Sequence, residues 1–292
     1  EELELIERPD PVPGPGQVVI DVRGAGLCHS DVGFLDGTLT HLIADKLPMI
    51  LGHEVAGTIS AIGPGVSGFA IGDRIVASGL EHFAPGWSVD GGYATKCLLL
   101  AEGLIPLPDN VSFAQGAAAT DAGATAWGGV MVTGKMKPGM RVGIVGLGGL
   151  GMTGARIAVL NGAAEVYGVE PREEVWKKAL ALGIKQVFGD VMELAPLKLD
   201  LIVDFAGFGT TTAGAILAVR DGGVVSQVGL GKTEATINTG ALTGKAVQLR
   251  GSRGGGPGAT EAVIAHMAKG ELEIEASTIR FEEIPAGLKR LE

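Results

Sequence analysis

The sequence is poor in three things, and each shortage excludes something. Aromatic side chains make up only 4% of the 292 residues, so the aromatic positions are expected to be mostly core. Cysteine occurs twice, at Cys28 and Cys97, which rules out a disulfide framework. A single bridge is chemically possible, but thiols of an α/β enzyme are more often kept reduced or used for metal or chemistry. Basic residues are outnumbered, 23 against 33 acidic, for a net charge of −10, which argues against nucleic acid or an anionic membrane as partner. No stretch reads as a membrane span or a signal peptide, and a cytoplasmic location is expected. The opening Glu1-Glu2 carries no methionine, which leaves the true start open.

What is abundant is glycine, with 49 residues, in a chain that is 46% hydrophobic. That balance suits an α/β protein with buried strands, and the length favours two domains. The most informative stretch runs from Arg141 to Glu170. Arg141 to Val145 reads as a strand, Gly146, Gly148 and Gly151 form G-x-G-x-x-G, and a helical pattern through Leu160 stops at Asn161-Gly162. Val166 to Val169 reads as a second strand and ends on Glu170. Glycines so placed permit a tight turn, close approach of backbone to a pyrophosphate, and close packing of helix on strand. The helix N-terminus then offers unpaired N–H groups to phosphate. A carboxylate at Glu170 accepts from a ribose diol and repels a 2′-phosphate, which favours NAD; Arg172 keeps NADP as the lesser expectation.

Around this unit the texture changes twice. Before it, Gln17 to Val22 alternates as a half-buried strand with Val18, Ile20 and Val22 on one face, and short apolar runs alternate with glycine and proline turns. Gln115 to Val132 is an alanine-rich helical stretch. After it, strands at Leu199 to Asp204, Val224 to Val228 and Ala246 to Gly251 alternate with helices at Pro171 to Leu182 and Thr211 to Val219, as in a parallel sheet with helices on both faces. The tail, Ala259 to Lys269 plus Ile279 to Leu291, reads as a helix, a short strand-like stretch and another helix, and is expected to pack back on the first domain. Gly251 to Gly258 reads as a glycine loop.

Cys28, His53 and Asp121 look like metal ligands, yet singly a buried thiol, a satisfied histidine or a capping aspartate is commoner, and no local spacing joins them. Gly52-His53-Glu54-Val55-Ala56-Gly57, running on to Gly63 through Val66, resembles the zinc signature of the medium-chain zinc-dependent alcohol dehydrogenase family. Gly26 to Asp31, Gly72-Asp73-Arg74, Asp90 to Ala94 and the turn 146 to 151 resemble that family's pattern as well.

The resemblance implies a β-rich GroES-like catalytic domain over residues 1–121, a Rossmann NAD-binding domain over 122–254, and a return segment over 255–292. It implies Cys28, His53 and Asp121 as ligands of one catalytic zinc with an open position. Zinc would act as a Lewis acid on an alcohol that yields its hydride to NAD. Glu54 would lie near the metal, and Ser30 would take the alcohol proton. The cofactor would be held by His29, Gly146, Gly148, Gly149, Leu150, Gly151 and Glu170, with Gly229 and Leu230 near the nicotinamide. A homodimer or homotetramer is implied.

Two departures stand out. Gly33 occupies the place of a relay histidine, and Ile75 to Asp90 has no cysteine, so no structural zinc is expected. Cys97 reads as a buried structural thiol. His41, Phe83, Trp87 and Trp127 are candidates for an apolar substrate pocket, though core is the commoner fate. The rival readings are a zinc-free enone or quinone reductase of the same superfamily and a non-catalytic nucleotide-binding relative.

Overall fold

The computed structural model describes residues 3–80 and 82–291. The chain divides into two compact units, Glu1–Asp121 with Glu275–Glu292, and Ala122–Ile274. Among the described residues no helix is long and apolar enough to cross a membrane.

The first unit is built on a five-stranded antiparallel sheet in the order β4-β1-β2-β3-β5. Its strands are β1 (Gln17–Gly26), β2 (Glu54–Ile62), β3 (Arg74–Ala77), β4 (Lys96–Leu100) and β5 (Leu104–Pro106). Val18, Ile20, Val55, Ile59, Ile75 and Leu99 fill its core. Each such aliphatic side chain contributes roughly 1.5–3 kcal/mol when taken out of water. Val18, Ile20 and Val22 share the core face as expected, but β1 is not half-buried: Val19 is buried too, a bulge breaks the register between Val19 and Ile20, and helix α2 (Phe113–Ala118) packs against the strand. The pairing that matters for the site is Gly26 with Glu54, which brings the end of β1 beside the start of β2. Directly beyond Gly26, Cys28 begins helix α1 (His29–Asp36), and directly before Glu54 stands His53.

The alanine-rich stretch is helical from Phe113 to Thr133 but not uniformly α. A π segment, Ala119–Gly123, separates α2 from α3 (Ala124–Trp127), and a second one follows at Gly128–Thr133. Wider π turns of this kind mark places where a helix trades regularity for side-chain placement. Asp121 lies in the first of them.

The second unit is a six-stranded parallel sheet in the order β11-β10-β9-β6-β7-β8. Its strands are β6 (Arg141–Val145), β7 (Glu165–Val169), β8 (Gln186–Phe188), β9 (Leu201–Asp204), β10 (Val224–Gln227) and β11 (Gln248–Gly251). The intervening helices are α4 (Gly149–Leu160), α5 (Trp176–Ala181), α6 (Thr210–Ala218) and α7 (Thr239–Gly244), and α8 (Ala259–Ala268) follows the sheet. This is the doubly wound Rossmann arrangement, with the first strand of the unit at its centre. The short strand β8 carries no signal strong enough to be read from sequence.

One boundary departs from expectation. The chain returns to the first unit between Ile274 and Glu275, not at 255, because α8 buries Val263 and Ile264 in the second unit and sets His266 against Trp127 with ring centroids 6.1 Å apart. The tail therefore packs back on the first unit only from Glu275, through helix α9 (Ile284–Lys289), whose Leu288 joins Val32, Phe34, Ile43 and Tyr93 in one cluster over α1.

Candidate functional site

The first unit brings Cys28, His53, Glu54 and Asp121 together, with one potential ligand atom from each within 4.8 Å of all the others. Cys28 Sγ is 3.3 Å from Asp121 Oδ2, and His53 Nε2 is 3.6 Å from the same oxygen. Donors arranged tetrahedrally at bonds of about 2.0–2.3 Å lie roughly 3.3–3.8 Å apart, so these separations suit one small divalent cation. Two glycines make the geometry possible. Gly52 has φ +94°, and a Cβ there would stand 2.5 Å from the Tyr93 ring; a Cβ at Gly26 would stand 2.0 Å from Glu54 Oε2.

Electrostatics point the same way. Burial pushes the Cys28 thiol up, with a hydrogen bond to His53 working against it. Burial, reinforced by Asp121, holds Glu54 well above the usual carboxylate range. At His53 burial opposes the imidazolium, and the nearby Asp121, Asp31 and Cys28 outweigh it, so the ring's pKa is raised well above its ordinary value. A thiol, an imidazole and the Glu54 carboxyl so crowded hold their protons more tightly than in water, and a divalent cation is a guest that could displace them.

Sequence reasoning gave no role to Asp31, which is fully buried. Its Oδ2 accepts hydrogen bonds from the Tyr93 hydroxyl at 2.8 Å and the Cys28 N–H at 3.1 Å. Its Oδ1 faces His53 Nδ1 at 3.5 Å, and both atoms are buried without a hydrogen-bond partner. The only available signal was its place inside Gly26 to Asp31. Burial and the neighbouring Asp31 push Tyr93 far up, so its hydroxyl remains a donor.

Ser30 Oγ lies 3.7 Å from Cys28 Sγ, in the first turn of α1. Gly33 is buried in the same helix, and a Cβ there would meet Leu39 at 2.8 Å, so a histidine in its place would displace that side chain. Among the pocket candidates, Trp87 packs edge-on between Phe34 (4.8 Å) and His53 (5.7 Å). Trp127 belongs to the second unit, Phe83 takes part in an isolated bridge with Leu80, and His41 is exposed on a short 3-10 turn. Cys97 is buried in the sheet core, and burial pushes its thiol up to about 12.

In the second unit the glycine turn joins β6 to α4. Gly146 has φ +83°, and a Cβ at Gly151 would stand 1.8 Å from the Gly146 carbonyl oxygen. At Gly148 and Gly149 an added Cβ would meet nothing within 4 Å, and no side chain caps the helix. The turn is therefore closed on its inner side and open, with backbone N–H groups, where a phosphate would approach. Leu150 follows in the first turn of α4, and His29 is exposed at the start of α1.

Glu170 directly follows β7 and is nearly buried, with both oxygens occupied. Oε2 accepts from the Leu147 N–H at 3.1 Å, and Arg172 donates from Nε to Oε1 at 2.9 Å and from Nη2 to Oε2 at 3.1 Å. Arg172, foremost, holds this carboxyl below its usual range against the opposing effect of burial. The two side chains that sequence reasoning set as competitors for the ribose are thus paired with each other. Gly229 closes against the Phe205 carbonyl, and Leu230 beside it is 76% exposed.

Comparison with known proteins gives a consistent result. Residues 14–109 match the alcohol dehydrogenase GroES-like domain, and residues 149–269 match the zinc-binding dehydrogenase family. An alcohol dehydrogenase of Geobacillus stearothermophilus is 34% identical over 200 residues, 62% of this chain and 58% of that one. An NAD-dependent alcohol dehydrogenase of Sulfolobus acidocaldarius is 30% identical over 241 residues, 73% of this chain and 70% of that one. The crystal structure of the alcohol dehydrogenase from the hyperthermophilic archaeon Aeropyrum pernix superposes with a TM-score of 0.88 at 26% identity, covering 99% of this chain and 92% of that one.

Proposed function

The chain belongs to the zinc-dependent medium-chain dehydrogenase/reductase family, and from that premise we propose that it oxidises a primary or secondary alcohol reversibly to an aldehyde or ketone, passing hydride to NAD. The observation that carries this is the partly buried cluster of a thiol, an imidazole and two carboxyls within 4.8 Å in the first unit. Cys28, His53 and Asp121 would hold one zinc, leaving a position for substrate. When bound, zinc supplies Lewis acidity to the alcohol or carbonyl oxygen, and the dinucleotide supplies the hydride acceptor.

The chain's own residues do the rest. Ser30, beside Cys28, takes the hydroxyl proton of the alcohol. With Gly33 packed against Leu39, no histidine follows it, and the proton leaves to water. Glu54, buried and protonation-prone, lies beside the ligands where a change of coordination would be felt. In the second unit the open backbone at Gly148 and Gly149, followed by Leu150 and Gly151 in the first turn of α4, would receive the pyrophosphate. Glu170 would hold the ribose once Arg172, the exposed member of the pair, yields. Gly229 and Leu230, just beyond β10, would lie near the nicotinamide. The family likeness supports a homodimer or homotetramer, which light scattering reads directly.

The test is metal analysis of the purified chain together with turnover of an alcohol panel, followed at the nicotinamide absorbance with NAD and NADP in parallel. One zinc per chain and NAD reduction are expected. Absence of bound metal with reduction of enones would move the chain to the zinc-free reductases, and nucleotide binding without turnover would make it a non-catalytic relative.

A further inference from the structure

Asp31 joins three parts of the first unit through a single carboxylate. Its Oδ2 holds the backbone N–H of Cys28 and the hydroxyl of Tyr93, and its Oδ1 faces the Nδ1 of His53. Two of the three belong to residues read above as metal ligands, and the third comes from the Asp90 to Ala94 segment, far away in the chain. Tyr93 is itself closely fitted: its ring rests on Gly52, where even a methyl group would approach to 2.5 Å.

The phenolic hydroxyl has one proton and two acceptors within reach, Asp31 Oδ2 at 2.8 Å and the Gly26 carbonyl oxygen at 3.2 Å. The shorter contact, to the carboxylate, is the stronger. With Oδ2 tied from two sides, rotation of the carboxyl group about its own axis is blocked and Oδ1 stays directed at His53. An imidazole whose Nδ1 faces an acceptor carries a proton there, which leaves Nε2, already turned toward Asp121, as the nitrogen for a cation.

We propose that Tyr93 is a positioning residue of the metal centre, its hydroxyl locking Asp31 so that His53 offers Nε2 to a divalent cation. The inference rests on reading Cys28, His53 and Asp121 as the ligand set. The competing account is that Tyr93 merely fills the cluster it shares with Phe34, Ile43 and Leu288. The two accounts separate because Tyr93→Phe keeps the ring and removes only the hydroxyl.

The experiment uses the full chain loaded with zinc, and separately with cobalt(II), whose visible bands report ligand geometry. Zinc release is timed with a chromogenic chelator. Y93F is expected to release zinc about tenfold faster than the wild type, within the roughly 10–100-fold range of outer-shell partners, and to shift the cobalt bands. D31N should shift them in the same sense, and Y93F/D31N should lose no more than D31N alone. Wild-type release and unchanged bands in Y93F overturn the proposal even if that variant melts at a lower temperature, because packing alone then accounts for Tyr93. Additive losses in the double variant overturn it as well.

Should Y93F not fold, the chain's having only two tyrosines allows another route. Fluorotyrosine introduced in a Tyr167→Phe background changes the donor strength of Tyr93 while keeping its shape. Altered release and altered bands support the lock, and indifference overturns it. A wild type that takes up neither zinc nor cobalt overturns the ligand reading itself, whereas a metal-binding wild type insensitive to Tyr93 overturns only the present inference.

Discussion

On the proposed function, the cluster around Cys28 and the glycine turn both present polar groups to a charged guest, but from opposite materials. The cluster draws side chains from Cys28, His53, Glu54 and Asp121 and depends on the pairing of Gly26 with Glu54 and on a π turn to bring them together. The turn is contiguous, uses backbone, and depends on side chains being missing at Gly146, Gly148 and Gly151. Damage should therefore propagate differently. Deleting a side chain empties the cluster and leaves its fold intact, while adding one to the turn disturbs packing first and binding second.

The largest effect is expected at His53. His53→Ala should abolish stoichiometric zinc and lower alcohol turnover by about 10²–10³-fold, the share of the barrier that Lewis acidity supplies. Dinucleotide affinity, read from quenching of protein fluorescence, should stay close to the wild type. Loss of both together would break the contrast between the two regions.

Gly151→Val tests the converse. The new side chain would begin 1.8 Å from the Gly146 carbonyl, a backbone atom that cannot step aside, so overpacking should cost about 1–3 kcal/mol or more and dinucleotide binding should fall with it. Zinc content should persist, since Cys28, His53 and Asp121 all belong to the other unit. Denaturant titration with metal analysis reads both.

Legibility follows the same division. The turn was readable from sequence because every constraint on it is local: β6 runs over Arg141–Val145 as expected, and α4 ends at Leu160 with Asn161 as its cap. The cluster was not readable from spacing, because no local rule joins positions 28, 53 and 121; only the family resemblance did so. Asp31 and Tyr93 escaped even that, since what they hold is visible only when β1, α1 and the Tyr93 segment are folded together. The ion pair of Arg172 with Glu170 escaped for another reason: sequence gives both residues but not which partner each prefers. The placement of α8 was misjudged because an amphipathic helix shows which face is buried and not what buries it.

Gly148→Ala sharpens the comparison within the turn. The added methyl would meet no protein atom within 4 Å and the backbone there has an ordinary negative φ, so stability should stay within about 0.5 kcal/mol. Dinucleotide affinity should nevertheless fall about tenfold, because the methyl occupies the side from which phosphate approaches. Unchanged affinity would remove the phosphate from that face of the turn.

The smallest effect concerns the opposite ends of the same strands. At the start of β7, Glu165 accepts from Arg141 at 2.7 Å and from the Tyr167 hydroxyl at 2.8 Å and pairs with Lys185. Lys185 foremost, then Tyr167 and Arg141, hold its carboxyl down to about 2. A carboxyl depressed in the folded state stabilises above its unfolded value near 4.5 and loses that contribution as pH falls toward 2. Glu165→Gln should therefore lower the urea midpoint slightly at pH 7, and the gap from the wild type should narrow by pH 3. Because the group is solvent-facing, salt should narrow the gap too. A gap that widened on acidification would mean that the arginine, lysine and tyrosine around Glu165 do not act on it as a charged group.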